Sequence, residues 1–187
     1  MTQTDVSRAS VTRLACLDKD GTLLVNEPYN VDPARMRPAP DADAALRLLA
    51  GAGFRLAVVT NQPGVGLGRF AAEALLDVRG WLEEYCNRAG VRLDGFYACP
   101  HVDGCACRKP RPGLVAAALA AAGANPADSW VIGDILDDVE AGNRAGCRTA
   151  LVDVGNETEW VRGPHRAPTL VASSLLDAAR SIVGATS

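Results

Sequence analysis

Acidic residues stand in this chain where apolar runs stop. Asp18-Lys19-Asp20-Gly21 follows Leu14-Ala15-Cys16-Leu17, and Gly133-Asp134 ends the run from Ser129 to Ile132. A third run, Arg55-Leu56-Ala57-Val58-Val59, ends in Thr60-Asn61. Carboxylates gathered at one rim repel one another unless a hard cation such as magnesium sits among them. Such a cation attracts phosphate. Phosphoryl transfer needs a nucleophile in line with the leaving oxygen, a proton for that oxygen, and positive charge on the equatorial oxygens. Two aspartates separated by one residue can divide the first two tasks, one attacking phosphorus while its neighbour exchanges protons with the leaving group and with water. Lys109 and the metal would neutralise the phosphoryl charge, and Thr60 would donate a hydrogen bond.

A second constellation lies in Cys99-Pro100-His101-Val102-Asp103-Gly104-Cys105-Ala106-Cys107. One imidazole and three thiolates suit tetrahedral zinc, and the Asp103-Gly104 turn gives the reversal that wrapping an ion requires. With Cys99, His101, Cys105 and Cys107 all used as ligands, no position stays open for substrate, so a structural role is expected. Unbound cysteines or a redox pair are the alternatives. The loop runs straight into Arg108 and Lys109. The chain holds two lysines, Lys19 and Lys109, among 19 basic residues, and both fall inside these motifs. A retained lysine in an arginine-rich chain suggests a compact ammonium that a planar guanidinium cannot replace.

The elements that must carry these residues follow from the apolar pattern. The runs Leu14–Leu17, Arg55–Thr60, Ser129–Gly133 and Arg148–Val152 predict buried strands. Helices are expected over Asp41–Ala50, Ala71–Ala89, Gly113–Ala122, Asp137–Ala145 and Ser173–Val183. Residues 23–40 read as a loop or small flap. Strand and helix alternate, which predicts an α/β fold: a three-layer, Rossmann-like, doubly wound parallel sheet with ligands at the C-terminal ends of its strands. The remaining cysteines, Cys16, Cys86 and Cys147, lie in apolar surroundings and are expected in the core, while His165 is expected on the surface.

At 187 residues, 48% hydrophobic and 22% charged, the chain predicts a single folded domain over 1–187 with its core at about 14–152. The formal charge of -3 and the lack of any basic run argue against a nucleic-acid partner. Residues 1–13 lack the apolar stretch of a signal peptide and no segment has the length of a membrane span, so no membrane partner and a cytoplasmic location are expected. A monomer is expected.

Taken in order, Asp18-Lys-Asp-Gly-Thr-Leu23, Val59-Thr-Asn-Gln62, Arg108-Lys-Pro110 and Gly133-Asp134 with Asp137-Asp138 resemble the haloacid dehalogenase superfamily over about Leu14 to Val152. The resemblance implies a magnesium-dependent phosphatase working through an aspartyl-phosphate, with Asp18 as nucleophile and Asp20 as general acid and base. It implies magnesium held by Asp18, the carbonyl of Asp20, and Asp134. Thr60 and Lys109 would hold phosphoryl oxygens, Asp138 would position Lys109, and Asp137 would be a solvated helix-start residue. The Cys-x-His loop followed by Cys-x-Cys-Arg-Lys-Pro is similar to a minimally capped branch of that superfamily, the heptose bisphosphate and histidinol-phosphate phosphatases. Thr60-Asn-Gln-Pro-Gly-Val65, Tyr97-Ala-Cys-Pro-His101 and Arg108-Lys-Pro-Arg-Pro-Gly113 resemble the heptose enzymes more closely. That likeness implies a small phosphorylated metabolite as substrate, contacted by Asn61 and Gln62, with Arg108 on its second anionic end and Asn26, Glu27 and Tyr29 lining the pocket. The chain departs from the branch at Leu24, Pro63, Leu67 and Ile135, where asparagine, serine, arginine and lysine are usual. From another class of function, a zinc-stapled interaction module without catalysis is the competing expectation; a calcium module fits less well because the acids are spread over distant strands.

Overall fold

The computed structural model describes residues 11–185; residues 1–10, and with them most of the stretch expected to lack a signal sequence, lie outside the described residues. Six parallel strands form one sheet in the order β3-β2-β1-β4-β5-β6, comprising β1 (Arg13–Leu17), β2 (Phe54–Asn61), β3 (Gly95–Cys99), β4 (Trp130–Gly133), β5 (Arg148–Val152) and β6 (Leu170–Ala172). The helices are α1 (Ala42–Gly51), α2 (Ala74–Arg88), α3 (Gly113–Ala122), α4 (Leu136–Arg144) and α5 (Leu175–Gly184). Among the described residues no helix is long and apolar enough to cross a membrane.

Burial on both faces explains why the central strands are continuously apolar rather than alternating. On β1, Ala15 and Leu17 join Leu46 and Leu49 of α1, Val78 and Leu82 of α2, and Ala178 and Ile182 of α5 in one core. Leu14 and Cys16 point the other way, into a second core with Val115 and Leu119 of α3 and Ala141 of α4. Cys16, Cys86 and Cys147 are all buried and free, and His165 is exposed, as the sequence suggested.

Two strands escape the pattern. β3 is an edge strand, half-buried along most of its length, and β6 has only three residues, so neither shows the run that marks β1, β2, β4 and β5. The sheet therefore continues past Val152, and α5 packs on α1 through the first core. The α2 helix starts at Ala74 rather than Ala71, because its approach is closed by i→i+3 bonds from Ala74, Leu75 and Leu76 to Ala71, Ala72 and Glu73. The flap at residues 23–40 is zipped at its stem, where Val25 bonds to Arg37 and Ala39 to Leu23. Leu23, Leu24 and Met36 are buried beneath it.

Register brings the polar strand ends together. Leu17 pairs with both Val58 and Ile132, and the Asp18 amide carries the ladder one step further by donating to the Ile132 carbonyl at 2.9 Å. At the opposite edge Ser129 stitches β1 to the turn before β4. Its fully buried hydroxyl accepts from the Leu14 amide at 3.0 Å and donates to the Asn125 carbonyl at 2.7 Å. Ser129→Ala takes this partner from the Leu14 amide and leaves the Asn125 carbonyl with only the Asp128 amide at 3.3 Å, and is expected to cost about 1–3 kcal/mol in urea unfolding; a loss indistinguishable from zero would show that water replaces the hydroxyl.

Candidate functional site

Lys109 occupies the centre of the rim. Its side chain is 2% exposed, and Nζ lies 2.5 Å from Asp18 Oδ1, 2.5 Å from Asp138 Oδ1 and 2.9 Å from the Val59 carbonyl. Three acceptors match the three protons of an ammonium. Burial alone would lower the lysine's pKa, but the charges of Asp138 and Asp18 outweigh it and hold the pKa above the ordinary value. The backbone of Lys109 is gripped by Asn61, whose Oδ1 accepts from the Lys109 amide at 3.0 Å while Nδ2 donates to its carbonyl at 2.9 Å. Asn61, expected to contact substrate, thus uses both ends of its amide to place the cation. Asp138 reaches Lys109 because residue 133 is glycine: a Cβ there would stand 2.2 Å from Asp138 Oδ2.

Asp134 lies beside this pair. Ligand oxygens of Asp18, Asp134 and Asp138 all fall within 4.8 Å of one another. Thr22 Oγ1 donates to Asp134 Oδ1 at 3.1 Å and Asn156 Nδ2 to Oδ2 at 2.8 Å. Burial raises the Asp134 pKa to about 6, and the neighbouring Asp18 charge adds to the rise. Burial likewise pushes the Asp138 carboxyl up, with Lys109 pulling the other way. One ammonium against three clustered carboxylates leaves a local excess of negative charge, and the donors are hard oxygens, so the residues fit magnesium. Gly21 makes room on this side. Its φ is +88° and a Cβ would stand 2.1 Å from Asp134 Oδ2.

Asp20 is held apart from Asp18 by a different set of partners. Lys19 Nζ lies 2.7 Å from Asp20 Oδ1, and Gln62 Nε2 donates both to Asp20 Oδ2 at 3.2 Å and to Thr60 Oγ1 at 3.0 Å. Burial raises the Asp20 pKa, and Lys19 offsets part of that rise. Lys19 also donates to the Asn30 carbonyl at 3.2 Å, which ties the flap to the rim. Within the flap Glu27 is committed to Asn30 Nδ2 and to Arg35; it braces the loop. Asn26 and Tyr29 are exposed. Asp137, expected to be solvated, instead takes Arg166 at 3.0 Å.

The cysteine loop closes on itself. Cys107 Sγ lies 3.2 Å from both Cys99 and Cys105, Cys99 lies 3.5 Å from Cys105, and His101 Nδ1 is 3.6 Å from Cys99 and 3.5 Å from Cys107. These separations are too long for disulfides. They approach the ~3.7 Å edge of a tetrahedron built on ~2.3 Å zinc–sulfur bonds, so the set fits zinc. Cys105 Sγ also accepts the Arg108 amide at 3.3 Å, which links the cluster directly to the residue before Lys109. Arg108 itself donates to the His101 carbonyl at 3.4 Å.

Several contributors lacked a strong sequence signal. Lys19 was marked only by the scarcity of lysine, and Thr22 only by following Asp20-Gly21. Asn30 and Asn156 sit in irregular polar stretches with no period to single them out.

Comparison with known proteins agrees with the geometry. A HAD-hydrolase-like family model matches residues 106–178. The chain is 34% identical to the D-glycero-beta-D-manno-heptose-1,7-bisphosphate 7-phosphatase of Pasteurella multocida, covering 74% of this chain and 80% of that one. It is 38% identical to the enzyme of that name from Rhodopseudomonas palustris, over 71% of this chain and 78% of the relative. The solved structure of D,D-heptose 1,7-bisphosphate phosphatase from B. bronchiseptica, complexed with magnesium and phosphate, superposes with a TM-score of 0.83 at 29% identity, covering 93% of this chain and 99% of that one.

A carboxyl whose pKa is higher in the folded than in the unfolded chain favours folding while it is protonated. With Asp134 raised to about 6, its contribution in metal-free protein should be lost as pH rises from about 4 through about 6, by on the order of 3 kcal/mol. Urea unfolding of the chelated wild type and of Asp134→Asn should therefore show the wild type losing ground to the variant over that window, with magnesium restoring it. A difference that stays flat with pH would mean that Asp134 is not desolvated.

Proposed function

The chain belongs to the haloacid dehalogenase-like family of phosphoric monoester hydrolases that includes the D-glycero-beta-D-manno-heptose-1,7-bisphosphate 7-phosphatases, and from that premise we propose that it removes the 7-phosphate of a heptose 1,7-bisphosphate in a magnesium-dependent reaction through an aspartyl-phosphate. One observation carries the reading: Lys109 is pinned between Asp18 and Asp138 beside Asp134, while Asp20, two residues from Asp18, is tethered separately to Lys19 and Gln62. A nucleophile, a cation and a separate proton carrier stand at one rim.

In the proposed reaction an oxygen of Asp18 attacks phosphorus as the bond to the sugar oxygen breaks, and the proton of Asp20 passes to that oxygen. Asp20, now ionised, takes a proton from water; the water oxygen attacks phosphorus, inorganic phosphate leaves, and Asp18 is restored. The raised pKa of Asp20 supports a carboxyl able to carry that proton. Lys109 offers positive charge to the equatorial oxygens, and Thr60, bridged to Asp20 through Gln62, stands where its hydroxyl can bond one of them. Bound magnesium, held by Asp18, Asp134 and the Asp20 carbonyl, would neutralise phosphoryl charge. Zinc on Cys99, His101, Cys105 and Cys107 would fix Arg108 and Lys109 without touching substrate. We place the reaction in the cytoplasm, where the free thiols of Cys16, Cys86 and Cys147 would persist.

The deciding measurement is kcat/KM for the heptose bisphosphate, histidinol phosphate and simple sugar phosphates, with and without magnesium. A preference of ~100-fold for the heptose bisphosphate, equivalent to ~2.7 kcal/mol in the transition state, is expected, and Asp18→Asn should reduce turnover to background while remaining folded. Preference for histidinol phosphate would reassign the substrate, and release of no phosphate from any ester would leave a zinc-stapled module without catalysis. Metal analysis should return one zinc per chain, lost in Cys107→Ser together with kcat; a fully active, zinc-free protein would sink the structural role of the loop.

A further inference from the structure

Three loops surround the Asp20 side of the rim, and one exposed arginine joins two of them. The first is the flap, anchored through the Asn30 carbonyl to Lys19. The second, residues 63–70, leaves β2 at Gln62, which bonds Asp20. It coils tightly, with the Leu67 amide on the Pro63 carbonyl at 2.9 Å and the Arg69 amide on the Gly64 carbonyl at 2.8 Å. The third is the cysteine loop, touched by the second where the Gly66 amide donates to the Pro100 carbonyl at 2.9 Å.

The second loop turns Arg69 outward. Its neighbour Phe70 packs inward, so close over Gly64 that a Cβ there would stand 2.1 Å from the ring. The Arg69 guanidinium instead lies 3.9 Å from the centroid of the Tyr29 ring, within the range of a cation–π contact. Tyr29 holds φ at +60°, a conformation uncommon for a bulky side chain and one that persists only where its surroundings impose it. Among the described residues no carboxylate pairs with Arg69, whereas Arg35 is paired with Glu27 in the flap and Arg166 with Asp137 and Glu140 beside α4. Arg108, on the adjoining loop, likewise makes no carboxylate ion pair among the described residues, and its guanidinium donates to the His101 carbonyl. Two guanidiniums without a carboxylate ion pair thus stand on touching loops next to a rim crowded with carboxylates. Planar guanidinium groups favour bidentate recognition of phosphate.

We propose that Arg69, braced on Tyr29, is a specificity-determining residue that binds the second phosphate of a bisphosphate substrate. This rests on the bisphosphate reading above and deepens it. The phosphate that reacts sits at Asp18, where Lys109 supplies the positive charge. The distal phosphate needs a separate cation, and Arg69 is carried by a side-chain contact that joins flap and second loop. Binding there would also hold the flap against the loop.

The test compares kcat/KM for the heptose bisphosphate and for the same heptose carrying only the 7-phosphate. Wild type, Arg69→Ala, Arg69→Lys and Tyr29→Asn are measured at two salt concentrations. Asparagine removes the ring yet tolerates the left-handed backbone of Tyr29. Arg69→Ala is expected to lower the ratio of bisphosphate to monophosphate efficiency by about 3- to 5-fold, chiefly through KM, and to weaken its salt dependence. Arg69→Lys should recover part of the ratio, and Tyr29→Asn should lower it less than the alanine does. A wild type that prefers the bisphosphate, with the ratio unmoved in Arg69→Ala, overturns this inference alone. Equal losses on both substrates would show a merely structural role and overturn it as well. A wild type without preference between the two esters removes the bisphosphate reading and this inference with it.

Discussion

Confinement of like charge is the constraint on which the rest of the site depends. Asp18, Asp134 and Asp138 offer oxygens within 4.8 Å of one another in a region closed to bulk water, where charges interact far more strongly than in solvent. An isolated cluster of this kind would protonate or spread apart; burial first, and the neighbouring carboxylates second, push the Asp134 and Asp138 carboxyls up. The Lys109 ammonium opposes it at 2.5 Å from two of the three carboxylates. The charge that remains suits a divalent cation with hard oxygen ligands. The same imbalance that would destabilise an empty core thereby becomes affinity for the groups that relieve it.

So dense a cluster requires its members to be placed from several directions with little freedom. The parallel register supplies Asp18 and Asp134 from adjacent strands, since the Asp18 amide bonds the Ile132 carbonyl. Helix α4 supplies Asp138 from its first turn across the bare backbone of Gly133. Lys109 comes from no regular element, and its position is made by a clamp: Asn61 holds its backbone from β2 while Cys105 accepts the preceding amide. The cysteine loop is therefore joined to the carboxylate cluster through the chain itself. Its Cys105 sulfur holds the peptide next to the central cation.

This division explains what could be read in the sequence. Buried strands announce themselves as apolar runs, and a polar residue at the end of such a run has no packing reason to be there, so Asp18, Asp20, Thr60 and Asp134 stood out. The cysteine loop was legible because four good ligands in nine residues rarely have another use. Edge strands β3 and β6 carried no comparable run. The internal partners of Asn61 and Glu27 could not be read, because sequence gives residue type and neighbourhood but not which partner takes the hydrogen bonds. Asn30, Asn156 and Arg69 sit in loops whose conformation comes from long-range contacts, and no local period marks them.

The two sides of the rim also differ in stiffness and in solvent, and this limits how selection among substrates can work. The reacting side is buried and carried by strands and a helix. The other side consists of three loops that present Asn26, Tyr29 and Arg69 to water, with Arg108 half-buried beside them. An exposed ion pair contributes about 0.2–1 kcal/mol, whereas a ~100-fold preference needs ~2.7 kcal/mol. One open contact is therefore too weak to discriminate. Selection must come either from several contacts acting together or from the flap drawing down on its Lys19 anchor to exclude water around them. Because Lys19 bonds both the Asn30 carbonyl of the flap and Asp20, the flap and the Asp20 side of the rim share one buried anchor.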